Sequence, residues 1–213
     1  CNTAFAWLGN ELGAAAIRDQ AEAFGFNSGF EIPLRAATSL FPQDPDAPQT
    51  ALSAIGQFEV RATALQMAMV AASIGNSGRT MNPYLVQEIR GPDLSILQTT
   101  EPSQFEDALK PSNSLSLTEM LVNVVENGTG SNAQIAGVRV AGKTGTAQTG
   151  NDSPSVAWFI SFAPAAAPKV AVAVVIACLR LRLSLACVAV ATLGLPRRPF
   201  GNATEEEAAQ DRC

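Results

Sequence analysis

Histidine is absent from the 213 residues, and this absence excludes a large part of enzyme chemistry. Without an imidazole the chain cannot build a Ser-His-Asp or Cys-His catalytic group, or a metal site that needs histidine ligands. Proton transfer must therefore use lysine, aspartate, glutamate or tyrosine. Lysine is scarce as well, with only three in the chain. Lys110 and Lys169 lie beside prolines in connecting segments, whereas Lys143 lies within a patterned segment.

Charged residues are also few, at 15% of the chain, and the formal net charge is −5. No basic surface is dense enough to follow a phosphate backbone, so we expect no nucleic-acid partner. The four cysteines form no C-x-x-C pair, which excludes a metal knuckle and a redox motif. We therefore expect neither a metal nor a cofactor. The apolar content of 47% is typical of a globular domain with a core.

Helical patterns dominate the first part of the chain. Residues 3–24 are predicted to form one helix, because apolar residues recur there every three or four positions. Thr63 opens a T-x-x-Q capping box, which predicts a second helix ending near a glycine. Ser116 and Glu119 form the capping box of a third helix, with a glycine just past its end. Between the first two helices, residues 25–57 form a long connection rich in proline and glycine, and such connections are usually functional.

Strand patterns dominate the later part. Residues 81–89 are predicted to form a strand, and residues 91–113 a loop. From residue 137 the apolar period becomes two, which predicts three strands at residues 137–148, 155–164 and 169–177. The middle strand is apolar on both faces, so we expect it to be central, and the short links favour antiparallel hairpins. The order of elements predicts an α+β fold, an antiparallel sheet flanked by helices.

The composition changes at residues 178–213, which become rich in leucine, arginine and cysteine. One interpretation is a transmembrane helix over residues 170–195, but Arg180 and Arg182 would each cost about 2.5–3.5 kcal/mol near its middle. A second is an ordinary strand and helix of unusual composition. A third, which we favour for part or all of this atypical tail, is a reading-frame slip in a GC-rich gene. We expect poor order after about residue 195, where little can be buried.

Lys143 is followed by hydroxyl and glycine residues in the segment A-G-K-T-G-T-A-Q, residues 141–148. A K-T-G triplet alone is weak evidence, because a solvent-facing lysine before a turn is its ordinary interpretation. On a strand, however, Thr144 and Thr146 point to the same face, and Gly145 leaves the backbone open to a ligand. Two hydroxyl donors beside an edge of backbone N–H groups can bind a carboxylate and polarise a carbonyl.

This segment resembles the third active-site motif, K-[ST]-G, of the penicillin-binding protein transpeptidases and serine β-lactamases. The opening C-N-T-A-F resembles the end of the family's S-x-N motif, cut after its serine. Residues 55–86 resemble the family's segment around A-T-P-L-Q-M-A, with Ala64 at the usual proline. The resemblance covers residues 1–177, which we interpret as a partial transpeptidase domain, incomplete at its N-terminus. It is closest to the monofunctional class B proteins, which cross-link peptidoglycan.

The resemblance implies acyl transfer, in which a lysine of an S-x-x-K motif activates a serine nucleophile. It implies that Asn2 contacts the substrate amide and that Lys143 supplies positive charge to the proton network and the substrate carboxylate. It also implies that the backbone N–H of Thr146 forms half of an oxyanion hole. The implied substrate-binding residues are Thr144, Gly145, Thr146 and Gln148.

The chain departs from the family pattern at its nucleophile, because no serine is followed by a lysine three positions later. We therefore expect a fragment that has no transpeptidase activity and little stable β-lactam binding on its own. The parent protein is expected to be anchored in the cell membrane and to act on its outer face. Its expected partners are peptidoglycan stem peptides, β-lactams and the proteins of cell-wall synthesis during division or elongation.

Two alternatives remain open. One is a hydrolase of the same fold, a D,D-carboxypeptidase or a β-lactamase, although the long segment 25–57 argues against a β-lactamase. The other is a non-catalytic module that binds or senses β-lactams or peptidoglycan. Labelled penicillin distinguishes these classes, because a stable adduct, rapid release and no adduct correspond to the transpeptidase, the hydrolase and the binding module.

Overall fold

The computed structural model describes residues 2–148, 155–178 and 184–192, which form helices packed against antiparallel strands. The α-helices of these ranges are α1 (Asn2–Leu12), α2 (Ala14–Ala23), α3 (Ala47–Ser53), α4 (Ala64–Gly75) and α5 (Pro111–Asn127). The strands are β1 (Arg79–Met81), β2 (Glu88–Arg90), β3 (Ile96–Thr99), β4 (Gln104–Asp107), β5 (Ala141–Ala147), β6 (Val156–Ala163), β7 (Val170–Cys178) and β8 (Ser184–Thr192). The predicted α+β class is confirmed.

The main sheet is antiparallel and has the strand order β5-β6-β7-β8. The prediction that the doubly apolar strand is central is confirmed, because β6 pairs with β5 on one side and β7 on the other. β5 begins four residues later than residue 137, the predicted start. Gly137 has a φ of +75°, and Ile135 and Val138 form an isolated bridge around it, so the chain turns there before the strand begins.

The core lies between this sheet and the helices α4 and α5. Ala141, Phe162 and Ala171 are aligned across β5, β6 and β7 and therefore share one face of the sheet. Ile74 of α4 and Val122 of α5 pack on that face, and Phe162 is only 1% exposed. The two alanines leave room for the phenylalanine ring between them, so the first residues of β5 are fixed by packing.

The first predicted helix is two helices. Gly13 has a φ of +85°, which ends α1 and starts α2 in a new direction. Such a conformation is open to glycine and strained for other residues. The apolar spacing of residues 3–24 is not interrupted at Gly13, because this single residue takes one position of the pattern and has no side chain that would disturb it. Periodicity alone therefore could not locate the boundary between α1 and α2.

The predicted capping of α4 is half correct. The Thr63 hydroxyl accepts a hydrogen bond from the Gln66 backbone N–H at 3.1 Å. In a full capping box the Gln66 side chain would bond back to the Thr63 N–H, but it donates instead to the carbonyl of Phe24 at 2.6 Å. The Thr63 N–H donates to the Ser39 hydroxyl at 3.0 Å. Gln66 therefore ties α4 to the end of α2.

The predicted start of α5 is wrong by six residues, because the N-cap is Lys110 and not Ser116. The helix begins at Pro111, and the Ser116 hydroxyl donates to the carbonyl of Ser112 within the helix instead of capping it. Proline is suited to the first helical position, because its missing N–H has no partner there in any case. The predicted end is confirmed, since Gly128 is the residue that follows the helix.

Residues 79–107 differ most from the prediction. The predicted strand 81–89 is two separate short strands, β1 and β2, and the predicted loop 91–113 contains β3, β4 and the start of α5. β1 pairs with β4, and β2 pairs with β3. Both pairs have an irregular register, and β2 and β3 are exposed, so no clean alternation marks them. Within the connection 25–57, the sequence analysis also missed α3, which a capping box between Asp46 and Gln49 begins.

The segment considered as a transmembrane helix forms strands where the structure describes it, since β7 pairs with β8. In the described ranges, no helix combines the length and apolar character needed to cross a bilayer. The predicted poor order after about residue 195 concerns residues outside the described ranges.

Candidate active site

The K-T-G residues lie on β5, which is an edge strand of the main sheet as described. In the part of the chain that the structure describes, β6 pairs with one edge of β5 and no strand pairs with the other. The unpaired edge of a strand leaves backbone N–H and C=O groups available to a ligand. Because side chains alternate along a strand, Thr144 and Thr146 share one face, and Lys143 and Gly145 lie on the other.

The Lys143 amine lies beside the backbone of its own motif. Its Nζ donates a hydrogen bond to the carbonyl oxygen of Thr144 at 2.7 Å, and the side chain is exposed. An ammonium has three N–H donors, so two remain for an anion at this strand edge. Two cavities, of about 330 and 550 Å³, lie elsewhere, and neither is lined by residues 143–148. The motif is therefore presented on an open edge.

The two threonines have different surroundings. Thr144 is half-buried, and its hydroxyl lies 2.6 Å from the hydroxyl of Thr129, in the loop after α5. Thr146 is exposed near the end of β5, and Gln148 is exposed just beyond it. The sequence analysis missed Thr129. The signal that could have identified it is a hydroxyl residue between two glycines directly after a helix.

The two glycines of β5 differ in how closely their surroundings are packed. A Cβ at Gly142 would lie 2.7 Å from Phe159 Cζ and 3.1 Å from the Ile160 carbonyl oxygen, so packing requires the glycine. A Cβ at Gly145 would meet only the Cβ of Trp158, at 3.3 Å. The fold therefore barely requires Gly145, and its missing side chain leaves the strand edge open to a ligand.

Asn2 stands apart from this group. It is the first residue of α1 and is exposed, and α1 packs against α2 and α3. Across the described residues, no hydrogen bond joins Asn2 to β5. The structure thus places five of the six predicted site residues on one strand and its end. They are Lys143, Thr144, Gly145, Thr146 and Gln148.

An ion-pair group holds the chain just before β5 against α5. The Arg139 guanidinium lies 3.2 Å from a Glu119 carboxylate oxygen and 3.4 Å from one of Glu126. Hydrogen bonds to Glu119 and then to Glu126 raise the pKa of Arg139 above its usual value. All three side chains are exposed, so the pairing contributes little to the stability of the fold. Within the described ranges, no three His, Cys, Asp or Glu side chains are grouped to hold a metal ion.

Comparison with known proteins identifies the family. The model of the penicillin-binding protein transpeptidase domain matches residues 1–178. The peptidoglycan D,D-transpeptidase PbpA of Mycobacterium tuberculosis is 44% identical over 214 residues, covering 99% of this chain and 42% of the relative. PbpA of Mycolicibacterium smegmatis is 45% identical over 176 residues, covering 81% and 36%. The chain thus spans about two fifths of the length of these relatives.

Solved structures agree in fold. The crystal structure of PBPA from M. tuberculosis is 45% identical and superposes with a TM-score of 0.78, covering 82% of this chain and 42% of that one. A D,D-transpeptidase domain from Eggerthella lenta is 36% identical with a TM-score of 0.74, covering 82% and 45%. Penicillin-binding protein A of M. tuberculosis has also been solved as acyl-enzyme complexes with penicillin G and imipenem. With the family model matching residues 1–178, the chain belongs to the penicillin-binding protein transpeptidase family.

Proposed function

We propose that this chain is part of a peptidoglycan D,D-transpeptidase that works by serine acyl transfer, and that β5 supplies the anion-binding side of its active site. The supporting observation is the open edge of β5, which presents a lysine amine and two hydroxyls within four consecutive residues. Such an edge suits an extended peptide that ends in a carboxylate, because main-chain bonds can form alongside the charge contacts. Stem peptides and β-lactams both carry a carboxylate near the bond that is broken.

Lys143 and Thr144 would receive the carboxylate. The Lys143 amine has two donors free of the Thr144 carbonyl, and the two threonine hydroxyls lie on one face of the strand. An exposed ammonium is screened by water and salt until a ligand covers it. The attraction between the Lys143 ammonium and the ligand carboxylate therefore strengthens when a peptide occupies the edge. This favours binding with the carboxylate directed at Lys143.

The backbone N–H of Thr146 would stabilise the oxyanion that forms when the serine attacks the carbonyl. Loss of one such donor typically lowers the rate about 10²- to 10³-fold. Gly145 would keep this N–H accessible, and Gln148 would line the end of the edge. Asn2 would contact the substrate amide from α1. These roles need the serine and lysine of an S-x-x-K motif, which this chain does not contain.

We propose further that the whole protein is anchored in the membrane and acts on its outer face, where its stem-peptide substrate and cell-wall synthesis partners are found. The support is the match to PbpA transpeptidases over about two fifths of their length.

The test uses the full-length protein and a fluorescent penicillin. A stable covalent adduct with the wild type, lost or slowed about tenfold or more in Lys143→Ala, supports the proposal. Lys169→Ala is the matched control, because Lys169 is also exposed but lies between β6 and β7, outside the motif. Rapid release of the label would instead indicate a hydrolase. Absence of an adduct in a folded protein would indicate a binding module and refute the transpeptidase.

A further inference from the structure

A hydroxyl–hydroxyl contact joins the loop after α5 to the K-T-G strand. The Oγ1 atoms of Thr129 and Thr144 lie 2.6 Å apart, within hydrogen-bonding distance, with either atom able to donate. The two residues are 15 positions apart in the chain. The contact therefore reflects how the loop after α5 is folded, and nothing in the strand pattern requires it.

The backbone around Thr129 is held firmly. The N–H groups of Gly128 and Gly130 both donate to the carbonyl oxygen of Val124, at 3.1 and 2.9 Å. A Cβ at Gly128 would lie 2.9 Å from the same oxygen, so this close approach needs a glycine. The Gln134 amide closes the helix end by donating to the next two carbonyls, each at 3.0 Å. Thr129 is thus presented from a loop that is tied to α5 on both sides.

The direction of this hydrogen bond decides what Thr144 can do. A hydroxyl has one proton and two acceptor positions. If Thr144 donates to Thr129, its proton is used and its oxygen presents only lone pairs, which repel a carboxylate. If Thr129 donates to Thr144, the Thr144 proton is free for the ligand. Hydrogen bonds in such a chain polarise one another, so each strengthens the next.

We propose that Thr129 is a positioning residue for ligand binding: it donates to the Thr144 hydroxyl, fixes its rotamer and leaves its proton directed to the ligand carboxylate. This inference rests on the proposed function, since it names a further residue of the same anion-binding edge. In this role Thr129 would act through Thr144 and would not itself contact the ligand. One neutral hydrogen bond contributes about 0.5–1.5 kcal/mol, so its loss should weaken carboxylate binding about two- to tenfold.

The experiment compares Thr129→Val and Thr129→Ser in the full-length protein. Valine keeps the shape but removes the donor, and serine keeps the donor. Each variant is titrated with penicillin G and with its methyl ester, which lacks the negative charge, in competition with a fluorescent penicillin. The binding constant and the acylation rate constant are measured separately. Ser116→Ala is the matched control, because it removes an exposed hydroxyl of α5 that bonds only to its own helix.

The expected result is a two- to tenfold weaker binding constant for penicillin G in Thr129→Val, with the methyl ester unaffected. In Thr129→Val the acylation rate constant and the melting temperature should stay near their wild-type values. The Ser116→Ala control should behave like the wild type in every measurement, and Thr129→Ser should bind penicillin G as the wild type does. An equal loss for acid and ester, or no loss for either, would overturn the positioning role. If the wild-type protein itself forms no penicillin adduct, the proposed transpeptidase function is wrong. If the wild type forms the adduct but Thr129→Val shows no selective loss for penicillin G, only the positioning role of Thr129 is wrong.

Discussion

Replacing Gly145 by alanine should damage ligand binding while leaving the fold intact. The added Cβ would meet only Trp158 Cβ at 3.3 Å, a contact that a shift of a few tenths of an ångström relieves. Removing a glycine from a strand also reduces the freedom of the unfolded chain, which favours folding by about 0.5–1 kcal/mol. These effects oppose each other, so the free energy of unfolding should change by less than about 1 kcal/mol.

Ligand binding should respond quite differently. The new methyl group would lie on the Lys143 face of the strand, beside the edge where a peptide or β-lactam must approach the backbone. A displacement of about 1 Å at a reacting centre can cost about 10²-fold in rate. We therefore expect acylation by fluorescent penicillin to slow about 10²-fold in full-length Gly145→Ala.

Gly142→Ala is the matched comparison on the same strand. Its Cβ would lie 2.7 Å from the Phe159 ring and 3.1 Å from a backbone carbonyl, and overpacking of this kind costs about 1–3 kcal/mol. We expect a lower melting temperature and near-normal acylation by the molecules that remain folded. If Gly145→Ala acylates like the wild type, the open edge of β5 is not where the ligand binds. If it destabilises the protein as much as Gly142→Ala does, the steric argument is wrong.

Three further predictions concern the fold and the isolated chain. Asp46→Ala removes the side-chain acceptor of the Gln49 N–H in the α3 capping box and should cost about 1 kcal/mol by urea unfolding, whereas the exposed neighbour variant Asp44→Ala should cost nearly nothing. Ser114→Ala leaves the buried Ile74 carbonyl without the hydroxyl that joins α5 to α4, which should lower the free energy of unfolding by about 1–3 kcal/mol. An unchanged urea midpoint in either variant would contradict these assignments. The 213-residue chain alone should form no stable penicillin adduct on a denaturing gel, because it lacks S-x-x-K, and a labelled band would show that another residue is acylated.

The sequence predicted three of the four described strands of the main sheet because their signals are local, whereas β8 lies in the atypical tail, where a strand was only one of three interpretations. β6 is apolar on both faces and its partners follow at short distances along the chain, so alternation and hairpin length together determine the order β5-β6-β7. The pairs β1–β4 and β2–β3 carry no comparable signal. β1 and β4 are separated by 22 residues between Met81 and Gln104, and the exposed strands β2 and β3 bury no face that would impose a pattern.

The candidate site was predictable to the extent that it lies on one strand. The spacing of Thr144 and Thr146 fixes their common face as soon as the segment is extended, and the strand assignment of residues 141–147 confirms that part. Thr129 could not be found in this way. Its distance to Thr144 depends on where α5 ends and on the N–H groups of Gly128 and Gly130, which both donate to the Val124 carbonyl. A tertiary contact of this kind leaves no periodic trace in the sequence.

The structure of β5 also explains how one short strand can be both anchored and available. Its first residue, Ala141, is fully buried beside Phe162, and Gly142 permits the close approach of Phe159. From Lys143 onward the strand passes beyond the core, and its side chains are exposed or half-buried. The buried half holds the backbone of the open half in register with β6, so a ligand bound at this edge would lose little entropy in ordering the strand. A mutation that loosens Ala141 against Phe162 should therefore weaken ligand binding even though neither residue reaches the open edge.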